Sequence, residues 1–240
     1  MSSSAQLTLL PYLWRWEPPA DRTTFAAGLH AGSAAGLAYS LVHDQRNRGG
    51  VNVGQSRPHD SVDQGPWGTA GRVVLATIPA AAVGYAAQDV VERRLGGPRT
   101  TAALMAGAGV ALWWADRKPQ DQQLGTREAV IAGLGQVAAL APGVSRSGAS
   151  LTALRAMRVP RAEAARFSTL MSLPITAGGA ALTAARSRAL PPVVPAVVAG
   201  FTAATLSRRV SGGSRGVIAG SALYRLGVAW AVARRQREQR

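Results

Sequence analysis

Ten consecutive residues, Ala141-Pro-Gly-Val-Ser-Arg-Ser-Gly-Ala-Ser150, concentrate the chemistry this chain can offer. Pro142 and Gly143 force a turn, and Ser145, Ser147 and Ser150 set three hydroxyls around the guanidinium of Arg146. With Gly143 and Gly148 keeping the backbone accessible, amide N–H groups, hydroxyls and Arg146 can converge on one anion, as a phosphate would require. A helix beginning near Ser147 adds its positive end at the same place. In a soluble protein the same composition also describes a flexible Ser/Gly loop. Here the flanks are apolar, and polar groups at membrane depth are expensive and usually functional.

Charge and hydropathy indicate the elements that must hold this stretch. The 240 residues are 47% hydrophobic and only 16% charged, with 27 Lys and Arg against 12 Asp and Glu, a net charge of +15. Such an excess suits a nucleic-acid binder or a membrane protein with Arg in its loops. Arg clusters at 46–48, 93–99, 186–188, 208–209 and 234–240, and the stretches between are almost uncharged. That is loop charge. With no single basic face and few aromatics for stacking, a nucleic-acid partner is not expected. The absence of Cys excludes a disulfide framework, a thiol nucleophile and any Cys-held metal.

Six segments, Thr23–Val42, Val73–Val91, Thr100–Ala115, Ala164–Ala185, Val193–Leu206 and Val217–Val232, approach the roughly 20 residues a membrane helix needs. Mean hydropathy is only +0.05, diluted by Ala and Gly, which suit closely packed membrane helices. Trp113 and Trp114, just before Asp116, Arg117 and Lys118, mark a membrane boundary. Ala129–Ala141 is apolar but short and runs straight into Pro142-Gly143, which predicts a re-entrant hairpin. In the long polar connection His43–Gly71, the spacing of His43, Asp44, His59, Asp60 and Asp63 fits no compact metal motif and reads as solvated loop. Met1–Gln6 lacks a basic start, so no cleavable signal peptide is expected. The expected fold is an all-α integral membrane protein, a single membrane domain over 1–240.

The sequence also repeats itself weakly. Met1-Ser-Ser-Ser-Ala-Gln-Leu-Thr resembles Val144-Ser-Arg-Ser-Gly-Ala-Ser-Leu-Thr, aligning Ser2 with Ser145, Ser3 with Arg146 and Ser4 with Ser147. Together with the discontinuous apolar segments this suggests an inverted-repeat bundle, with a first-repeat remnant over 1–115, a second repeat over 127–233 and a basic tail over 234–240.

At these residues the chain resembles the undecaprenyl-diphosphate phosphatases, also called bacitracin-resistance proteins. Their signature PGxSRSGxT is matched by Pro142, Gly143, Ser145, Arg146, Ser147 and Gly148, with Ser150 in place of Thr. Arg161–Pro174, Thr77-Ile-Pro-Ala-Ala, Phe25–Gly32 and Tyr224-Arg225 resemble further family segments, so the likeness runs nearly end to end. It implies a bacterial plasma-membrane, multi-pass protein with re-entrant hairpins, a homodimer, and an active site facing the outer side. The implied activity is hydrolysis of undecaprenyl (C55 polyprenyl) diphosphate to the monophosphate with Mg²⁺ or another divalent cation. By resemblance Arg146 clamps the diphosphate, Ser145 and Ser147 hydrogen-bond it, Arg225 assists, and Gln136 stands where the second repeat commonly has Gln. Gly143, Gly148, Ser150, Ser2 and Ser4 complete the substrate-binding set. Ser3 holds the position of a hydroxyl implicated in the reaction.

The departures fall on the family's first signature, a Glu-x-x-x-Glu helix followed by Leu-Pro-Val-Ser-Ser-(Ser/Thr)-(Gly/Ala)-His. Met1 falls on its Val, Ser2 to Ala5 match, and Gln6 replaces the His; the Glu pair has no counterpart in the chain. A GTG Val codon read as a start would give Met at this position, so a truncated first helix is expected, although an extension would not restore the His. Gln6 cannot act as a general base, and the carboxylates that would serve the metal are missing. The alternative function is a catalytically inactive paralogue that binds or transports polyprenyl phosphates.

Overall fold

The computed structural model describes residues 3–17, 22–48, 68–186, 193–210 and 215–238, and its elements are helical throughout. In chain order they are α1 (Ser3–Trp14), α2 (Arg22–Arg48), α3 (Gly68–Leu95), α4 (Pro98–Ala115), α5 (Thr126–Ala138), α6 (Arg146–Ala156), α7 (Arg161–Arg186), α8 (Val193–Val210) and α9 (Arg215–Glu238). Each of the six long apolar segments lies on one of these helices, which extend beyond it into flanking polar residues, while the short Ala129–Ala141 leaves its helix after Ala138. Two stretches, Gly68–Ala87 and Arg215–Glu238, are long and apolar enough by themselves to cross a membrane. Val74, Ile78, Tyr85, Leu223, Leu226 and Trp230 on these helices are exposed, which suits lipid rather than water.

The helices fall into two compact units. One, formed by residues 19–69 and 172–212, is built on the pairing of α2 with α8. Gly32 and Gly36 face Val197 and Phe201, while Gly200 faces the Leu29 carbonyl so closely that an added Cβ would collide with backbone. Small residues thus set this crossing, as is usual where helices meet without a hydrophobic driving force.

The other unit, residues 1–18, 70–171 and 213–240, holds the stretch from Ala141 to Ser150. Its core joins Ala5 and Leu9 of α1, Ala102 and Met105 of α4 and Val232 of α9. Gly109 of α4 lies against Ala222 and Arg225 of α9, so α4 and α9 run antiparallel. Gln6 bonds Tyr224, while Arg235 bonds the Leu13 carbonyl and stands over Tyr12, so α1 runs parallel to α9.

A hairpin of two short helices, α5 and α6, packs on this frame. Gly135 of α5 meets Ala149 and Ala153 of α6, and Gly133 meets the backbone of Ala76 in α3. Glu128 caps α5 by accepting the Gly125 N–H at 3.0 Å. The open end of α6 is fastened to the segment after α4, which itself leads into α5. Arg155, fully buried, donates to Asp116 Oδ1 at 3.1 Å, to the Lys118 carbonyl at 2.8 Å and to the Val159 carbonyl, and Arg161 donates to the same Asp116 oxygen at 2.6 Å. At the closed end Gly143, at φ +101°, presses on the backbone of Thr101 in the first turn of α4, where a Cβ would strike the carbonyl. Hence α6 runs parallel to α4 and antiparallel to α1.

Candidate phosphate-binding site

The helix expected near Ser147 begins one residue earlier, at Arg146, with Ser145 as its N-cap. Ser145 adopts φ +66° and ψ 120°, a conformation that costs a non-glycine residue about 1–3 kcal/mol and that tends to gather at functional sites. Its hydroxyl accepts the Gly148 N–H at 3.4 Å, while the amides of Arg146 and Ser147 have no acceptor within the helix.

The first turn of α6 is braced from behind. Ser150 Oγ bonds the Arg146 carbonyl at 2.9 Å, Ser168 Oγ of α7 bonds the Ser147 carbonyl at 2.7 Å, and the two hydroxyl oxygens lie 3.1 Å apart. Carbonyls held on one side leave the amide end of the turn facing the other. Ser150, read from the sequence as a substrate contact, therefore has its hydroxyl engaged with backbone.

Arg225 crosses to this turn from α9. It is 3% exposed, its stem lies over Gly109 of α4, and its guanidinium rests on Gly148, where a Cβ would come within 2.7 Å of Nη2. Gly148 and Gly109 thus leave the room that Arg225 occupies. Buried Nη1 of Arg225 has no hydrogen-bond partner. On α5, Gln136 is 1% exposed and neither Oε1 nor Nε2 is partnered. Buried polar groups are normally satisfied, and leaving one bare costs on the order of 1–3 kcal/mol. The Arg225 Nη1, beside a helix N-terminus carrying Arg146, is what an oxyanion ligand would satisfy.

The neighbouring residue on α9, Tyr224, accepts a bond from Gln6 Nε2 at 3.2 Å. Gln6 lies in the first turn of α1, which Ser3 opens and Ser4 follows; Ser2 lies outside the described residues, as do His59, Asp60 and Asp63 of the long loop. The structure therefore gathers Gly143, Ser145, Arg146, Ser147, Gly148, Ser150 and Arg225 around one helix start, with Gln136 on the other arm of the same hairpin.

Sequence reasoning missed two groups. Ser168 is one; the signal was a hydroxyl inside the resembling segment Arg161–Pro174. The Asp116–Arg155–Arg161 cluster is the other, foreshadowed by a charged residue at 155 in an otherwise uncharged stretch of the helix after the signature. Buried charges of this kind must be paired, and these are.

No group of three or more His, Asp or Glu that could hold a metal occurs among the described residues. The site's own donors are guanidinium, amide and hydroxyl, which do not fit a hard divalent cation that prefers carboxylate oxygens.

The family model for bacitracin resistance protein BacA matches residues 1–231. The chain belongs to the BacA family. Two curated relatives carry the name undecaprenyl-diphosphatase. The one from Geobacter metallireducens is 36% identical over 192 residues, 76% of this chain and 68% of the relative. The one from Moorella thermoacetica is 35% identical over 190 residues, with the same coverage. The BacA-family chain is accordingly an all-helical membrane protein.

Proposed function

We propose that this protein hydrolyses undecaprenyl diphosphate to undecaprenyl phosphate and inorganic phosphate in the bacterial plasma membrane. The carrying observation is buried Arg225, whose Nη1 has no hydrogen-bond partner, against the N-terminal turn of α6, which Arg146 opens. Two guanidinium groups and free helix amides neutralise a diphosphate and hold its terminal phosphorus in place, which is most of what phosphoryl transfer asks of a protein. In the reaction a water oxygen bonds to the terminal phosphorus. The bond from that phosphorus to the bridging oxygen breaks, and the bridging oxygen departs on undecaprenyl phosphate. The water's protons pass to released phosphate and solvent. Ser145 and Ser147 hydrogen-bond the diphosphate, and Ser3, from the family likeness, is the candidate nucleophile should the route be covalent.

The reading includes a re-entrant α5–α6 hairpin in an inverted-repeat, multi-pass bundle. Its support is that the end of α6 fastens to the segment after α4, from which α5 begins, while the tip rests on the first turn of α4. Helices of 13 and 11 residues are about 20 and 16 Å long, too short for a hydrocarbon layer of about 30 Å. Further support is that α1 and α6 run in opposite senses from neighbouring residues of α9. The outward-facing site, the homodimer and the Mg²⁺ requirement rest on the likeness alone; labelling from outside, crosslinking and chelation test them in turn.

A second reading, a binder or carrier of polyprenyl phosphates without hydrolysis, is favoured by one observation. Gln6, at the family's His position, is bonded to Tyr224 and offers no base. Phosphate release and lipid binding measured on the same purified protein separate the two. For the phosphatase, Arg146→Ala and Arg225→Ala each lower phosphate release by about 10²–10³-fold, the usual cost of removing an oxyanion donor. Binding that depends on Arg146 in wild-type protein that releases no phosphate would establish the carrier.

A further inference from the structure

At the end of α4 remote from Trp113 and Trp114, the helix ends of α1, α4 and α9 border two adjoining open hollows of about 320 and 350 Å³ that share Arg99 and Gln236. One adds Arg237, the other Tyr12 and Thr100. The start of α4 faces this space uncapped: Gly97 makes no side-chain cap and Pro98 has no N–H, so the amides of Arg99 and Thr100 have no partner within the helix. Arg235 stands over Tyr12, and its Nε is buried without a hydrogen-bond partner.

The setting fixes the depth of this basic pocket. Trp14 and Trp16 stack 5.6 Å apart, both exposed, just beyond Tyr12, and Trp230 stands 5.7 Å from Arg234 on the same end of α9. At the opposite end of α4, Arg117 and Lys118 stand over Trp113 and Trp114 at 3.5 and 4.8 Å. The 18 residues of α4 span about 27 Å between these aromatic and basic groups, close to the thickness of a hydrocarbon layer. The pocket therefore lies at headgroup level. Its lining shares no residue with the phosphate-binding turn: Arg225 lies over Gly109, about 16 Å along α4 from Pro98, and only the preceding Gly143 reaches as far as Thr101.

We propose that the Arg99–Arg237 pocket is a binding site for the phosphate headgroup of an anionic phospholipid. Two exposed guanidinium groups and the open α4 amides take the phosphate oxygens, Gln236 and Thr100 supply hydrogen bonds, and the acyl chains lie along the apolar faces below. Basic pockets between membrane helices hold lipid headgroups by this combination. A free anion would find the same charges but would gain nothing from the apolar faces.

The test is thermal unfolding of the full chain in nanodiscs of phosphatidylcholine alone and of phosphatidylcholine with phosphatidylglycerol. Wild-type protein is expected to melt several degrees higher with phosphatidylglycerol, and Arg99→Gln/Arg237→Gln to lose most of that difference. Arg93→Gln/Arg94→Gln removes two exposed charges from the preceding helix end, outside the pocket lining, and is expected to keep it. Inorganic phosphate at matched ionic strength is expected not to reproduce the shift. Equal losses in the two double variants would mean diffuse surface charge, an unchanged shift in the pocket variant would mean no site, and protection by inorganic phosphate would mean an anion site without lipid. Each of these three results overturns the proposal.

Discussion

Two short helices, α1 and α6, begin against adjacent residues of α9 and run to opposite ends of α4. The first turn of α6 has a strained cap at Ser145, a guanidinium at Arg146, two serine braces and Arg225 laid across Gly148. The first turn of α1 offers a neutral amide, Gln6, tied to Tyr224. Their far ends differ in the same way. Buried Asp116 with Arg155 and Arg161 fastens the end of α6, whereas the end of α1 is held by Arg235 through the Leu13 carbonyl and the Tyr12 ring. The two helix starts thus carry unequal groups: the α6 turn gathers Arg146 and, from α9, Arg225, whereas the described side chain nearest α9 at the α1 turn is the neutral Gln6.

The largest effect should come from cutting the fastening of α6. Asp116→Ala leaves Arg155 buried without its counter-ion, and breaking such a pair costs about 3–5 kcal/mol. A thermal unfolding scan in detergent should show a large loss. Arg235→Met, on the α1 side, removes a hydrogen bond while keeping an apolar stem, and should cost only about 1 kcal/mol. Equal losses would mean that α1 and α6 are anchored alike.

Gln6→His sharpens the comparison at the other end. It places a titratable ring beside Tyr224 without touching the α6 turn, so lipid binding should stay constant. Phosphate release should rise by about 100-fold, within the range that a positioned acid or base supplies. A variant that binds normally with unchanged release would show that the missing imidazole is not what limits α1.

Much of the α6 half was legible because its signals are local. Pro142-Gly143 announces a turn, and Ser145-Arg146-Ser147-Gly148 announces a helix start. Even Gly148 carried meaning, although only the fold shows that its missing side chain makes room for Arg225 from 77 residues further on. The hidden parts are pairings across long separations. Ser168 looks like any helix serine until it meets the Ser147 carbonyl, and Asp116 looks like a boundary charge until Arg155 and Arg161 close on it. Sequence periodicity finds faces, but it does not say which distant face supplies a partner.

Gly148→Ala tests the crossing of α9 over α6 directly. The new methyl would lie 2.7 Å from Arg225 Nη2 and 3.3 Å from Ser145 Cβ, so the guanidinium must move off the turn. Overpacking of this sort costs about 1–3 kcal/mol, and about tenfold weaker lipid binding is expected in titrations of detergent-solubilised protein. Full affinity would mean that Arg225 does not act at the α6 turn.

Ser168→Ala is the mildest probe and addresses what the braces do. It removes the donor to the Ser147 carbonyl and the neighbour of Ser150 Oγ, but leaves Ser150 bonded to the Arg146 carbonyl. The loss of one partly buried hydrogen bond should lower stability by about 1 kcal/mol. If the braces also aim the turn, KM for the diphosphate should rise a few-fold with kcat nearly unchanged, and Ser168→Thr, which keeps the hydroxyl, should restore it. Loss of stability without a change in KM would make Ser168 a packing residue, and the aim of the α6 amides would then rest on the Ser145 cap and Ser150 alone.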